Sequence, residues 1–314
     1  MQSAPSAPVL IVANPTSGRG HGRRVAERVA DALRAAGADV TVEYTRTTGD
    51  GERVAREAVE NRKRTFGCVA ACGGDGTVQQ VVNGLLSAGT RDDSAIPALG
   101  VIPAGRCNDF ARAIGMPKDP GAIAGVLGGG HHRALDLGKV NGRYFCTVAT
   151  AGIDAEVSGF VDAMRLPLRG TAAYVYGAIR VLIRYNAPQV RIDGDFGVTE
   201  GRLLLASSAN TSSYGGGIPI APPARTDDGQ LHLCLVRGVS KLRALALVPA
   251  LLKGKHLECP EVEIKTTKRL TIHMEERTEL WADGERVGET PAVIEVAPAA
   301  VRVMAPRGAS TDAG

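Results

Sequence analysis

The stretch Ala70-Ala71-Cys72-Gly73-Gly74-Asp75-Gly76-Thr77 decides how the rest of the chain is read. A short apolar run enters three glycines in four positions, and Val78, Val81, Val82, Leu85 and Leu86 follow at helical spacing. That order is a buried strand, a tight turn and a helix, with Thr77 placed to cap the helix. Glycines at such a turn permit positive φ and close approach of backbone to a ligand, both of which a Cβ opposes. The helix N-terminus carries about half a positive charge and free N–H groups, so the turn is a candidate phosphate seat. Asp75 adds an acid for a metal ion or a hydroxyl, and the combination suits phosphoryl transfer. Taken alone, the stretch reads equally well as a glycine-rich β–α turn with an exposed acid.

Outward from this turn the pattern repeats. Residues 9–13 form an apolar run ending in Asn14-Pro15-Thr16-Ser17-Gly18-Arg19-Gly20, and a helix follows with Val25, Val29, Ala32 and Leu33 on one face and Gly37 at its end. Residues 40–44 alternate as a strand, 50–64 form a charged amphipathic helix, and 66–72 are the third strand. Residues 99–103 run into Ala104-Gly105-Arg106-Cys107-Asn108-Asp109-Phe110-Ala111-Arg112, a third glycine turn ahead of a helix. Strands alternating with helices predict a parallel, doubly wound sheet, whose ligands bind at the carboxyl ends of the strands, where these turns fall.

Beyond Gly128-Gly129-Gly130, read as a linker, the pattern changes. Strands are expected at 134–140, 144–149, 189–192, 202–209, 230–236, 262–266, 270–274, 278–282 and 292–296, with turn signals at Val140-Asn141-Gly142 and Asp283-Gly284. Two helices, 172–185 and 241–254, interrupt them. The reading is a two-domain chain: an α/β domain over 8–130, completed by 301–306, and a mostly antiparallel β-sandwich over 131–300, with loose tails at 1–7 and 307–314.

The composition excludes several classes. At 314 residues, 44% hydrophobic and 22% charged, the chain is long enough for two cores and is not wholly disordered. The first residues lack a basic segment followed by an apolar one, and no apolar run is long enough to span a bilayer. Six cysteines without a CxxC pair read as reduced small hydrophobes. A net charge of +4 with 4% aromatics gives no argument for nucleic acid.

Taken together, Asn14-Pro15-x-Ser17-Gly18, Gly73-Gly74-Asp75-Gly76-Thr77 with Val82-Asn83-Gly84-Leu85 behind it, and Pro103-x-Gly105-x-x-Asn108-Asp109-Phe110-Ala111-Arg112 resemble the diacylglycerol kinase catalytic family. Asp227-Asp228-Gly229-x-Leu231 and Asp283-Gly284-Glu285 extend the resemblance into the second domain, so that it covers nearly the whole chain. The family includes bacterial diacylglycerol kinase-like lipid kinases and sphingosine kinases. Gly-Gly-Asp-Gly-Thr alone also occurs in NAD kinases, and with a changed last residue in phosphofructokinases.

The resemblance implies a two-domain kinase of NAD kinase and phosphofructokinase-like architecture, using ATP and Mg²⁺, with the nucleotide in the cleft between the domains. Asn14, Pro15, Thr16, Ser17 and Gly18 would line the phosphate region with Gly73, Gly74, Asp75, Gly76 and Thr77; Thr45 would border the nucleotide, and Gly105, Arg106 and Asn108 belong to the same set. Glu285 is the first choice for general base toward the lipid hydroxyl, with Asp283 its partner, and Asp75 is the competing base. Asp75 and Asp109 would hold Mg²⁺ through water, and Asp228 matches the residue that in bacterial members binds a separate, structural Mg²⁺. Arg106 stands where the family commonly has Thr, and is either a phosphate partner or a mark of altered nucleotide use.

The expected activity is transfer of the ATP γ-phosphoryl group to a lipid alcohol, diacylglycerol giving phosphatidate. The alternatives are a NAD kinase and a non-catalytic nucleotide sensor. Residues 160–185 carry Arg165, Arg169, Arg180 and Arg184 among Leu166, Leu168, Tyr174, Val181 and Leu182, and 241–255 is similarly basic and apolar. These segments are either core-packed helices with surface arginines or an interfacial face for anionic lipid. A cytoplasmic protein, peripheral to the inner face of the membrane and able to form a homodimer, is the expectation.

Overall fold

The computed structural model describes residues 7–61, 64–87, 96–163 and 171–308. The tails at 1–6 and 309–314, and Arg165, Leu166, Leu168 and Arg169, lie outside the described residues. The chain divides into two compact units, one of residues 1–135 with 299–313 and the other of residues 136–298.

The first unit is a parallel sheet with helices on both faces. In chain order it holds β1 (Val9–Ala13), a helical turn α1 (Ser17–Gly20), α2 (Gly22–Ala35), β2 (Val40–Tyr44), α3 (Asp50–Glu60), β3 (Cys68–Gly73), α4 (Asp75–Ser87), β4 (Ala98–Pro103), α5 (Asp109–Ala113) and α6 (Pro120–Gly128). β1 pairs in parallel with both β2 and β3, and β3 with β4. Every residue of β1 and β3 is buried, as expected for strands covered on two faces. Val9, Ile11 and Ala13 pack with Ala26, Val29, Ala30 and Leu33 of α2 and Ile123, Ala124 and Leu127 of α6. α3 and α4 pack against each other, where a Cβ on Gly84 would stand 2.2 Å from the Glu52 carbonyl oxygen.

The expected last strand is real. It is the end of β15 (Ala292–Met304), where Val303 pairs in parallel with Leu99 and the Arg302 guanidinium donates to the Ile96 carbonyl. α3 stops at Glu60, short of the expected 64, with Asn61 leaving helical geometry at ψ 92.

The second unit is largely antiparallel. β5 (His132–Val140) turns through Asn141-Gly142, both at positive φ, into β6 (Arg143–Phe145); β7 (Val148–Gly152), α7 (Ile153–Ala163) and α8 (Thr171–Leu182) follow. Then come β8 (Gln189–Gly194), β9 (Gly197–Ala209), β10 (Leu231–Arg237), α9 (Lys241–Leu252), β11 (Val262–Thr267), β12 (Arg269–Met274), β13 (Glu279–Ala282) and β14 (Glu285–Glu289). The long β9 organises them: residues 197–202 pair with β8, whereas 203–209 pair with β10 and 205–209 with β7. Leu203, Ala206, Leu231, Leu233, Leu270, Ile272, Leu280 and Ile294 meet in one core of this unit. The single strand expected over 144–149 is two strands, broken at Cys146 and Thr147, and α7 and β14 are additional elements.

Candidate active site

In the first unit, three glycine turns at the carboxyl ends of β1, β3 and β4 meet one another. The Asn14 N–H donates to the Cys72 carbonyl at 2.9 Å, and the Asn14 carboxamide oxygen accepts from the Thr16 N–H and hydroxyl. The Ser17 hydroxyl donates to the Ala104 carbonyl. Gly18 is left-handed at φ 59, and a Cβ on it would stand 2.4 Å from the same Ala104 oxygen. A Cβ on Gly105 would lie 2.3 Å from the Gly74 Cα, so the second and third turns touch backbone to backbone. The Thr45 N–H binds the Ala13 carbonyl at the rim of the first turn.

None of Gly73, Gly74 and Gly76 has positive φ. Gly73 is required for room, not for conformation: a Cβ on it would fall 2.3 Å from the Thr77 hydroxyl oxygen. Thr77 is therefore not the helix cap. α4 begins at Asp75, and Thr77 lies buried in its first turn against Gly73. The left-handed residue of the third turn is Asn108, at φ 53, whose carboxamide accepts from the Gly105 N–H at 2.8 Å and donates back to the Gly105 carbonyl at 3.1 Å. The carboxylate of Asp75 accepts the Phe110 N–H at 3.0 Å and so caps α5 from another turn. The structure thus brings together Asn14 to Gly18, Gly73 to Thr77, Gly105 and Asn108. Arg106 lies exposed on the third turn.

The carboxylates expected to hold Mg²⁺ fare unequally. Asp109 is buried and ion-paired to Arg112, which neutralises it. Asp228 accepts from the Gln230 N–H at 3.0 Å through one oxygen and faces His232 Nε2 at 3.1 Å through the other. No cluster of three or more His, Cys, Asp or Glu suited to a cation occurs among the described residues. Mg²⁺ takes one or two protein carboxylates and keeps several waters, so Asp228, Asp109 and Asp75, half-buried at the head of α4, stay the acids that would meet such an ion.

In the second unit, Asp283 and Gly284 form a two-residue hairpin between β13 and β14, at φ 54 and 80. Both left-handed residues make this a type I′ turn. The Asp283 carboxylate is buried and accepts the N–H groups of Cys146 and Thr147, at 2.7 and 2.8 Å, and the Thr147 hydroxyl. Those bonds break the strand between β6 and β7, and they hold the carboxylate of Asp283, the expected partner of Glu285, against Cys146 and Thr147. Glu285, the first residue of β14, is exposed.

The second unit also holds a cavity of about 120 Å³ that sequence reasoning missed. Its walls are aliphatic, with Val157 of α7, Val175, Ala178 and Leu182 of α8, and Leu247 and Leu251 of α9 among them, and Asp154, Tyr214 and His256 are its polar groups. The Tyr214 hydroxyl donates to one Asp154 oxygen, while the other is buried without a hydrogen-bond partner. Burial pushes the Asp154 carboxyl up to about 6, with the Tyr214 hydrogen bond pulling the other way. Burial lowers His256, whose Nε2 lies 2.9 Å from the Ile220 carbonyl. The one signal in the sequence was a single acid in the otherwise apolar Ala151-Gly152-Ile153-Asp154-Ala155.

A parallel sheet with three convergent glycine turns, joined in one chain to an antiparallel unit with an apolar cavity, defines a kinase class rather than a single enzyme. The diacylglycerol kinase catalytic domain profile matches residues 8–140, and that of the YegS C-terminal NAD kinase beta sandwich-like domain matches 147–305. The chain belongs to the diacylglycerol kinase family, and is a kinase. It is 32% identical to the diacylglycerol kinase of Bacillus subtilis (strain 168) over 90% of each chain, and 35% identical to that of Mycobacterium tuberculosis over 95% of each. A crystal structure from Bacillus anthracis, described as a candidate diacylglycerol kinase, superposes with a TM-score of 0.83 at 26% identity over 99% of both chains.

Proposed function

We propose that the protein transfers the γ-phosphoryl group of magnesium-bound ATP to the free hydroxyl of a lipid alcohol, diacylglycerol giving phosphatidate. The observation that carries the choice of acceptor is the cavity under α7, α8 and α9. Its walls suit hydrocarbon. A dinucleotide acceptor would need polar partners for its sugars and amide, which those walls lack.

The roles follow from the geometry. The first-turn N–H groups of α4 and the polar groups of Asn14, Thr16, Ser17 and Thr77 face the nucleotide phosphates, joined by the exposed guanidinium of Arg106. Asp75 would orient the magnesium ion carried with the nucleotide, which would supply charge neutralisation at the phosphate oxygens. Glu285 takes the hydroxyl proton as the lipid oxygen bonds to the γ-phosphorus and the bond to the bridging oxygen of ADP breaks. Asp283 is a positioning residue: by anchoring the turn to Cys146 and Thr147 it fixes the backbone from which Glu285 projects.

Incubation of the protein with ATP and a total lipid extract, followed by organic extraction and mass spectrometry, tests this. Phosphatidate in the organic phase is the expected result. A phosphorylated dinucleotide in the aqueous phase would establish the NAD kinase reading, and nucleotide binding without turnover the sensor reading.

A further inference from the structure

α8 carries two neighbouring apolar stripes, one turned to the cavity and one to the outside. Val175, Ala178 and Leu182 line the cavity, while Tyr176, Ile179 and Ile183 point outward, 38, 40 and 55% exposed, with exposed Arg180 and Arg184 between them. α9 repeats the arrangement. Leu247, Val248, Leu251 and Leu252 line the cavity; Leu242 is 81% exposed, and the exposed Ala246 and Pro249 continue its stripe. The two helices pack together, and the Lys241 ammonium donates to the Ile183 carbonyl at the end of α8, so the outward stripes adjoin. Large aliphatic side chains on successive exposed turns mark a surface that meets something apolar.

The charge identifies that surface. Residues 171–185 and 241–255 carry Arg180, Arg184, Lys241, Arg243, Lys253 and Lys255 and no acid. Among the described residues, the acid ion-paired to this set is Glu261, which binds Arg243. Cations interleaved with outward Ile, Leu and Tyr are complementary to lipid phosphates lying over hydrocarbon. A protein partner or a second copy of the chain would have to bring acids as well as an apolar face, and the exposed face itself supplies none.

We propose that the outer face of α8 and α9 is the seat of this protein on an anionic bilayer, with Tyr176, Ile179, Ile183 and Leu242 entering the headgroup region. The same two helices then form a wall between bilayer and cavity, which an acceptor leaving the membrane would cross. This last step rests on the lipid-kinase reading; the docking itself does not.

Co-sedimentation of the full chain with vesicles of phosphatidylcholine alone, and of phosphatidylcholine with phosphatidylglycerol in equal parts, tests the proposal. Binding is expected on the anionic vesicles and not on the neutral ones. Arg180→Glu with Arg184→Glu should weaken it roughly 30-fold or more, and Ile179→Asp with Ile183→Asp should abolish it. Both pairs should keep the Trp281 emission and melting transition of the parent, and phosphorylation of detergent-dispersed short-chain diacylglycerol should be unchanged. Absence of binding to anionic vesicles, or binding indifferent to both pairs, overturns the proposal. So does sedimentation velocity showing a dimer that the isoleucine pair converts to monomer, since a second copy would then cover the face. Vesicle binding by a chain that phosphorylates no lipid would leave the docking standing and remove the acceptor reading alone.

Discussion

Replacing Asp154 by Asn should stabilise the protein at neutral pH while impairing it as an enzyme. Burial raises this carboxyl from its ordinary 3.8 to about 6. Below the lower value both folded and unfolded chains hold the proton, and the folded carboxyl contributes its full stability. As pH rises from about 3.8 to about 6 the unfolded chain releases the proton first, so stability falls through that window and is level above it. Two pK units correspond to roughly 3 kcal/mol. An Asn keeps the acceptor for Tyr214 but buries an amide donor, which takes back about 1 kcal/mol and leaves a net gain of about 2 kcal/mol. For a unit of this size that is about 4–8 °C in melting temperature. The chain has one tryptophan, Trp281, in β13 beside β7, so its emission follows the unit that contains Asp154. The variant should melt slightly below the parent near pH 4 and above it by pH 7. A variant no more stable than the parent at pH 8, or a gap of equal size at pH 4 and pH 8, would refute the reasoning.

Four further outcomes are expected. Glu285→Gln should lower turnover by about 10²–10⁴-fold with an unchanged melting temperature, because the side chain is exposed and is the base proposed above; near-normal turnover would remove it from the chemistry. Asp283→Ala should instead lower stability by about 2–4 kcal/mol, read by denaturant titration, since two backbone N–H groups and a hydroxyl lose their buried acceptor. Gly105→Ala should abolish nucleotide binding, measured calorimetrically, because the added methyl meets the Gly74 backbone and nothing flexible can yield. Asp75→Asn should preserve the cap on α5 through its remaining carbonyl oxygen yet weaken activity in a way that higher Mg²⁺ partly restores.

The α/β unit was legible because its signals are local. Each strand runs into its own glycine turn, and the period changes at the turn, so β1, β3 and β4 and their convergent ends could be read from neighbouring residues. What the glycines are for was not legible. Close approach of Gly105 to Gly74 is a contact between turns far apart in sequence, and positive φ was the wrong reason for the Gly73-to-Gly76 run. The same limit hid the function of Asp283. Its hairpin was plain from Asp-Gly, but its buried partners, Cys146 and Thr147, lie over 130 residues upstream and broke an expected strand in two. α8 and α9 were placed nearly correctly, and their period could not say which of two apolar faces looked inward. The Asp228 and Asp109 roles were carried by motif alone, and the partners of those carboxylates, His232 and Arg112, became visible only in the structure.

The end of β15 has a consequence for synthesis. The chain emerges from the ribosome N-terminus first, and β4 waits with one edge open until Val303, some 200 residues later, arrives to close it. Until then the nascent sheet exposes Leu99 and the backbone around it, and it lacks Met304 from the core under α2 and α6. The nucleotide half of the enzyme is thus the first to be made and the last to be finished, so a chain truncated shortly before residue 300 would keep all three glycine turns and still fail to hold them in register.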